Sequence, residues 1–322
     1  MTTYPNLLPE LAAVAAGPDL DIADVVAARL LGDADDGAPA ALSYEGVEVS
    51  HVAAPGLGGA PDVPIRLLRP AGESGPLPIL IAMHGGGFVL GRAQDFDYFC
   101  LEVVRELGIA VANVEYRLAP ETPFPGPLDD CFAALVYVQS HGEELGIDPE
   151  RIAVGGSSAG GGLAAGTALR ARDEGGPPIA FQFLLSPALD DRPRHTATAA
   201  HMLTPMLNER TGVLVWQYYL GPGYTGPDDP SVSSYAAPAR AEDLAGLPPT
   251  YIAAMELDPV RDENIQYALR LLQAGVSVEL HSHPGTFHGS IEFAPEAPSS
   301  TRIRRGILDG LSRGLRLPVR SP

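Results

Sequence analysis

Five short, nearly continuous apolar runs constrain this 322-residue chain more than any other feature: Leu77–Met83, Ile109–Tyr116, Arg151–Val154, Ala180–Leu185 and Thr250–Leu257. A strand with one wet face alternates apolar and polar residues, whereas a run that is apolar throughout must be covered on both faces. A sixth run, Val276–His281, is weaker. Helical stretches lie between them at Leu128–Ser140, Ala159–Arg172 and Arg261–Ala274. In the last, Ile265, Ala268, Leu269 and Leu272 recur at three- and four-residue steps, and Gly275 stands at the stop position. The alternation predicts an α/β fold with a central, mostly parallel sheet covered by helices on both faces. Val47/Val49 and Ile65/Leu67 alternate like a β-hairpin at its start.

Two segments break the alternation. Residues 1 to about 40 read as two amphipathic helices, with Ile22, Val25, Val26 and Leu30 on one face and Gly32 as a stop. Residues from about 190 to 240 are longer than an ordinary connection. They hold a helical stretch at Asn208–Leu220 with Trp216, Tyr218 and Tyr219, then a loop rich in Gly, Pro and Asp. An insertion of that kind is expected to cover a site.

Charge narrows the partners. With 40 acidic residues against 21 basic ones, all arginine, the formal charge is −19. Binding to a phosphate backbone needs a basic footprint, so a nucleic-acid partner is not expected. Two cysteines, Cys100 and Cys131, supply neither a disulfide framework nor zinc-site spacing and read as buried thiols of a reducing compartment. Met1–Gly17 lacks the positive flank of a secretory signal, and no apolar run approaches the roughly 20 residues of a membrane helix. A soluble, cytoplasmic protein with no membrane partner is the expectation.

The chemistry concentrates first in Gly156-Ser157-Ser158-Ala159-Gly160, between a strand and a helix. A G-x-S-x-G at such a junction makes a tight turn that lifts a serine hydroxyl above the sheet edge. Glycine is needed two residues to either side, because a side chain there would strike the neighbouring strand or helix. Ser158 has glycine at both positions, while Ser157 has Gly155 before it and Ala159 after it, so Ser158 is the candidate nucleophile. A second signal is His84-Gly85-Gly86-Gly87-Phe88 at the end of the Leu77–Met83 run. Consecutive glycines leave backbone N–H groups unshielded, and donors aimed at a developing oxyanion lower the barrier to acyl transfer by several kcal/mol. The Ala159 N–H can contribute from the other side, and His84 orients the loop.

A serine needs a base, and the base needs an orienting carboxylate. For this layout the chain order is serine, acid, histidine. His288, flanked by Gly285 and Gly289, is the candidate base ahead of His283, and His281 belongs to the last strand. Asp258, next to the end of the Thr250–Leu257 run, is the candidate acid. Glu256 lies inside that run, Asp262 and Glu263 fall in a first helical turn that favours acids anyway, and Asp258 could itself cap that helix.

Taken together the chain resembles the hormone-sensitive-lipase-like branch of the α/β-hydrolases, the bacterial family IV esterases. The resemblance runs from about residue 60 onward, through His84–Phe88 with Gly91, Tyr116–Glu121, Phe124-Pro125, Asp129, Gly156–Gly161, Asp258-Pro259 with Arg261–Glu263, and Pro284-Gly285 with His288-Gly289. It implies an α/β-hydrolase fold and a cofactor-free, metal-free carboxylesterase for short to medium acyl esters, a small-molecule ester being the partner. It also implies a cap formed by residues 1–40 and 190–240 over a catalytic domain of 41–189 and 241–322, and an oxyanion hole of Gly86, Gly87 and Ala159. Trp216, Tyr218 and Tyr219 are then expected to line the substrate pocket, and a homodimer is compatible. Two positions depart from the pattern: Ser157 stands where an acid is common and Ser290 where Phe is common. The same triad could serve an amidase, deacetylase or lactonase, or the fold a non-catalytic receptor. Arg117 and Glu121 read as structural.

Overall fold

The computed structural model describes residues 4, 6–17, 21–34, 42–192 and 207–318. Its sheet has eight strands: β1 (Val47–Ala54), β2 (Val63–Pro70), β3 (Leu77–Met83), β4 (Ala110–Val114), β5 (Ile147–Ser157), β6 (Phe181–Leu185), β7 (Thr250–Leu257) and β8 (Val278–Phe287), in the spatial order β1-β2-β4-β3-β5-β6-β7-β8. β2 runs antiparallel to β1 and β4, and all remaining pairs are parallel. The helices are α1 (Ala12–Ala15), α2 (Val25–Ala34), α3 (Asp97–Leu107), α4 (Gly126–Ser140), α5 (Gly142–Leu145), α6 (Ala159–Asp173), α7 (Glu209–Leu220), α8 (Arg261–Gln273), α9 (Ser290–Phe293) and α10 (Pro298–Gly314).

The five strong apolar runs are largely buried on both faces, as expected, while the sixth leaves Leu280 38% exposed at the sheet edge. Alternate residues of β3 enter two separate cores: Ile79, Ile81 and Met83 share one with residues of α4, α6 and α8, while Leu80 and Ala82 share the other with residues of α3 and α10. The helices α3 and α10, which complete the second layer, stand outside the sequence expectations. A third cluster joins Leu11 and Ala15 to Leu257 and Phe287, seating the N-terminal segment over the ends of β7 and β8.

Two helix faces differ from expectation. On α8 the buried residues are Asn264, Tyr267, Ala268 and Leu271, while Leu269 and Leu272 are about half exposed. The face is rotated by one residue, some 100°. Asn264 is buried because its side-chain amide donates to the Pro187 carbonyl (2.7 Å), a partner that only the tertiary structure supplies. Near α2, Ile22, Val25 and Ala28 are buried, whereas Val26 (61%) and Leu30 (63%) face outward. The helix also runs through Gly32 to Ala34, because a lone glycine costs a helix only about 1 kcal/mol.

Candidate active site

β5 ends at Ser157 and α6 begins at Ala159, leaving Ser158 alone in the turn with φ 55° and ψ −118°. A Cβ on Gly156 would lie 2.3 Å from the Met83 carbonyl oxygen, and one on Gly160 would lie 2.1 Å from the same atom. The two glycines let the turn pass this close to β3. The Ser158 N–H donates to the Leu185 carbonyl (2.8 Å), and its own carbonyl accepts from Gly162 and Ala188 (3.0 Å each), so the strained turn is pinned on both sides.

Ser158 Oγ lies 2.8 Å from His288 Nε2, and His288 Nδ1 lies 2.8 Å from Asp258 Oδ2. A carboxylate only accepts, so Nδ1 carries the proton and Nε2 is free to accept from the serine hydroxyl. Asp258 leaves the end of β7 and His288 the end of its neighbour β8, where Leu257 pairs with Phe287, so parallel pairing delivers both to one rim. The other oxygen of Asp258 accepts the Val260 N–H (3.0 Å), so one carboxylate pins the turn before α8 and orients the imidazole. Burial pulls the His288 pKa down, but the Asp258 charge and hydrogen bond, with Glu292 adding, hold it above the ordinary 6.5.

The rival acids are occupied elsewhere. Glu256 accepts from the Gly285 N–H (2.6 Å) and Asn6, Asp262 pairs with Arg261, and Glu263 accepts the Leu189 N–H (2.8 Å). His281 pairs with Glu279 (2.7 Å). His283 is buried, which holds its pKa down to about 4. His84 stacks on Tyr116 (4.2 Å between rings) with Nδ1 2.7 Å from the Gly85 carbonyl, and burial holds its pKa near the same value, about 4. Arg117 forms an ion pair with Asp130, and Glu121 with Arg29 of α2.

The glycine loop passes beside the turn: a Cβ on Gly85 would sit 3.6 Å from that of Ser158. Gly86 (φ 113°) and Gly87 (φ 60°) take positive φ, and the Gly86 carbonyl accepts from Val89 (3.1 Å) and Leu90 (2.8 Å). Among the described residues the Gly86 and Gly87 N–H groups have no backbone partner. Ala159 opens α6, where first-turn N–H groups are left without helical acceptors.

Of the three aromatics on α7, Tyr219 is 1% exposed and stacked on Phe88 at 3.8 Å, and Trp216 is buried 5.7 Å from the same ring. Both belong to the packing beneath the glycine loop. Tyr218 alone lines a cavity of about 390 Å³, together with Ala23, Arg210, Val213 and Leu214, and its hydroxyl donates to the Ala23 carbonyl (3.2 Å). One residue escaped sequence reasoning: Glu292 on α9, whose Oε1 accepts from Ser157 Oγ at 2.5 Å. Only its place one turn after His288 could have marked it.

The family described as "alpha/beta hydrolase fold" matches residues 80–292. The chain belongs to that family, in its hormone-sensitive-lipase-like branch. It is 40% identical over 233 residues to esterase LipI of Mycobacterium tuberculosis, covering 72% of this chain and 71% of the relative. Carboxylesterase NlhH of the same species is 38% identical over 260 residues, 81% of each chain. Among solved structures, one titled "Bacterial Heroin Esterase" is 59% identical with a TM-score of 0.95, covering 98% of this chain and all of that one. The chain is a serine carboxylesterase. Among the described residues, no helix is long and apolar enough to cross a membrane, and no group of three or more His, Cys, Asp or Glu could hold a metal ion.

Proposed function

We propose that this carboxylesterase hydrolyses short- to medium-chain acyl esters by two-step acyl transfer through Ser158, His288 and Asp258. The observation that carries the reading is the unbroken relay of two 2.8 Å hydrogen bonds from Oγ to imidazole to carboxylate. His288 takes the Ser158 proton as Oγ attacks the ester carbonyl, and Asp258 stabilises the imidazolium. The oxyanion is held by the N–H groups of Gly86, Gly87 and Ala159. His288 returns the proton to the departing alcohol, then deprotonates the water that cleaves the acyl-enzyme and frees Ser158.

The described parts of residues 1–40 and 190–240 form the cap in this reading, supported by the Tyr218–Ala23 hydrogen bond and the Arg29–Glu121 ion pair; residues 1–3, 5, 18–20, 35–40 and 193–206 of that expectation lie outside the described residues. Tyr218 is the cap aromatic that meets substrate, while Trp216 and Tyr219 act through Phe88. A cytoplasmic setting is supported by the two free, buried thiols Cys100 and Cys131. The similarity to a protein named heroin esterase supports a compact acyl group on a larger alcohol as a substrate shape.

The test is burst and steady-state kinetics on p-nitrophenyl esters of increasing chain length. Ser158→Ala is expected to remove both burst and turnover, and the native enzyme to favour the soluble, shorter chains. Unchanged turnover in Ser158→Ala would overturn the assignment, and a preference for long, insoluble chains would overturn the substrate class.

A further inference from the structure

The mechanism leaves one acid at the site unused. Glu292 stands one turn beyond His288, its backbone N–H donating to the Gly289 carbonyl (3.0 Å). Its Oε1 accepts the Ser157 hydroxyl at 2.5 Å, across 135 residues of chain, and Ser157 is the immediate neighbour of the nucleophile. Apart from the Ser158–His288 contact, no other side-chain hydrogen bond among the described residues joins the nucleophile turn to the histidine turn. Glu292 Oε2 is shut off from solvent with no hydrogen-bond partner.

We propose that Glu292 is a positioning residue for ester hydrolysis: through Ser157 it ties the histidine turn to the nucleophile turn, and it holds a second negative charge beside the His288 imidazole. This rests on the triad reading and extends it. A buried carboxylate with one oxygen unpartnered is costly, and a nearby positive charge is what offsets that cost. His288 acquires such a charge each time it takes the Ser158 proton. The titratable groups facing Glu292 come from three other elements: Asp258 after β7, His288 after β8, and Tyr98 on α3, which burial keeps neutral and which lies under the influence of Arg304 of α10 and Glu102. Among them only His288 gains positive charge during the reaction. Burial holds the Glu292 pKa above the ordinary carboxyl value, and the Ser157 hydroxyl and His288 offset part of that rise. Ser157 therefore favours the charged state that supports the imidazolium.

Glu292→Gln separates charge from tether, because the amide oxygen still accepts from Ser157 while the charge is gone. In the full chain, kcat/KM is measured against pH, and the His288 ring is titrated directly by NMR. The acid limb and the ring midpoint are both expected to fall by about one pH unit, with kcat at neutral pH down about tenfold and KM nearly unchanged. Ser157→Ala, which removes the tether, is expected to move both in the same direction by less, and Ser157→Thr to restore them. If the ring midpoint and acid limb stay in place in Glu292→Gln and Ser157→Ala, the residue is merely structural and the proposal is overturned. Should Glu292→Gln not fold, the Ser157 pair alone decides between these outcomes. The NMR midpoint reads the coupling whether or not Ser158 is the nucleophile, so failure of the triad would show separately as turnover surviving in Ser158→Ala.

Discussion

At the rim of the sheet, Ser158, Asp258 and His288 leave the ends of β5, β7 and β8, and main-chain pairing fixes where each begins. On α7, Trp216, Tyr218 and Tyr219 leave one continuous helix, and which of them packs inward is decided by a neighbouring ring, Phe88. Placement at the rim is bound to backbone geometry, with glycines where no Cβ fits. Placement on α7 is bound to side-chain packing, which tolerates more exchange. Residues at the rim are therefore expected to fail in rate, and the buried Trp216 and Tyr219 of α7 in stability.

The sharpest attempt to break that contrast compares adjacent serines. Ser158→Ala is expected to lower kcat by about 10⁵-fold or more, whereas Ser157→Ala should cost no more than about tenfold. Equal losses would remove the distinction on which the nucleophile rests. Next comes the acid: Asp258→Asn should cost about 10⁴ in kcat with KM little changed, since the imidazole loses the acceptor that sets its tautomer. If Glu256→Gln shows that loss instead, the acid is wrongly assigned. On α7, Tyr219→Ala should destabilise by about 3 kcal/mol in denaturant unfolding, through the lost stack on Phe88. A change in rate without a change in stability would sink the packing account.

The pH profile probes the rim again at smaller cost. Only neutral imidazole can take the serine proton. Burial lowers the His288 pKa, but Asp258 and Glu292 outweigh it and raise the value above 6.5. Activity should then be full on the alkaline side and fall about tenfold for each pH unit below that raised value. An acid limb lying below pH 6 would contradict the coupling. Smallest of all, Tyr218→Phe should shift stability by less than about 1 kcal/mol and alter KM only slightly, because it deletes one solvent-accessible hydrogen bond.

Much of the rim was legible because its constraints are covalent and local. The β3 and β7 boundaries coincide with the apolar runs Leu77–Met83 and Thr250–Leu257, and the spacing of glycines separates Ser158 from Ser157 without any coordinates. Faces of helices were less legible. On α8, apolar residues occupy two registers one residue apart, and the Pro187 carbonyl that receives Asn264 is 77 residues away in sequence. Glu292 carried no signal beyond its place one turn after His288, since its partner lies 135 residues upstream.

Apolar runs, glycine spacing and the order of serine, acid and histidine along the chain were enough to determine the fold class and the three residues nominated for chemistry, because each of those features acts through the backbone within a few residues. Distances between distant segments were left to tertiary packing: the occupation of Glu256 and Glu263 by other donors, the burial of Trp216 and Tyr219 beneath the loop, and the meeting of Ser157 with Glu292. Such contacts depend on which surfaces come together when the two cores close, and no local pattern encodes them.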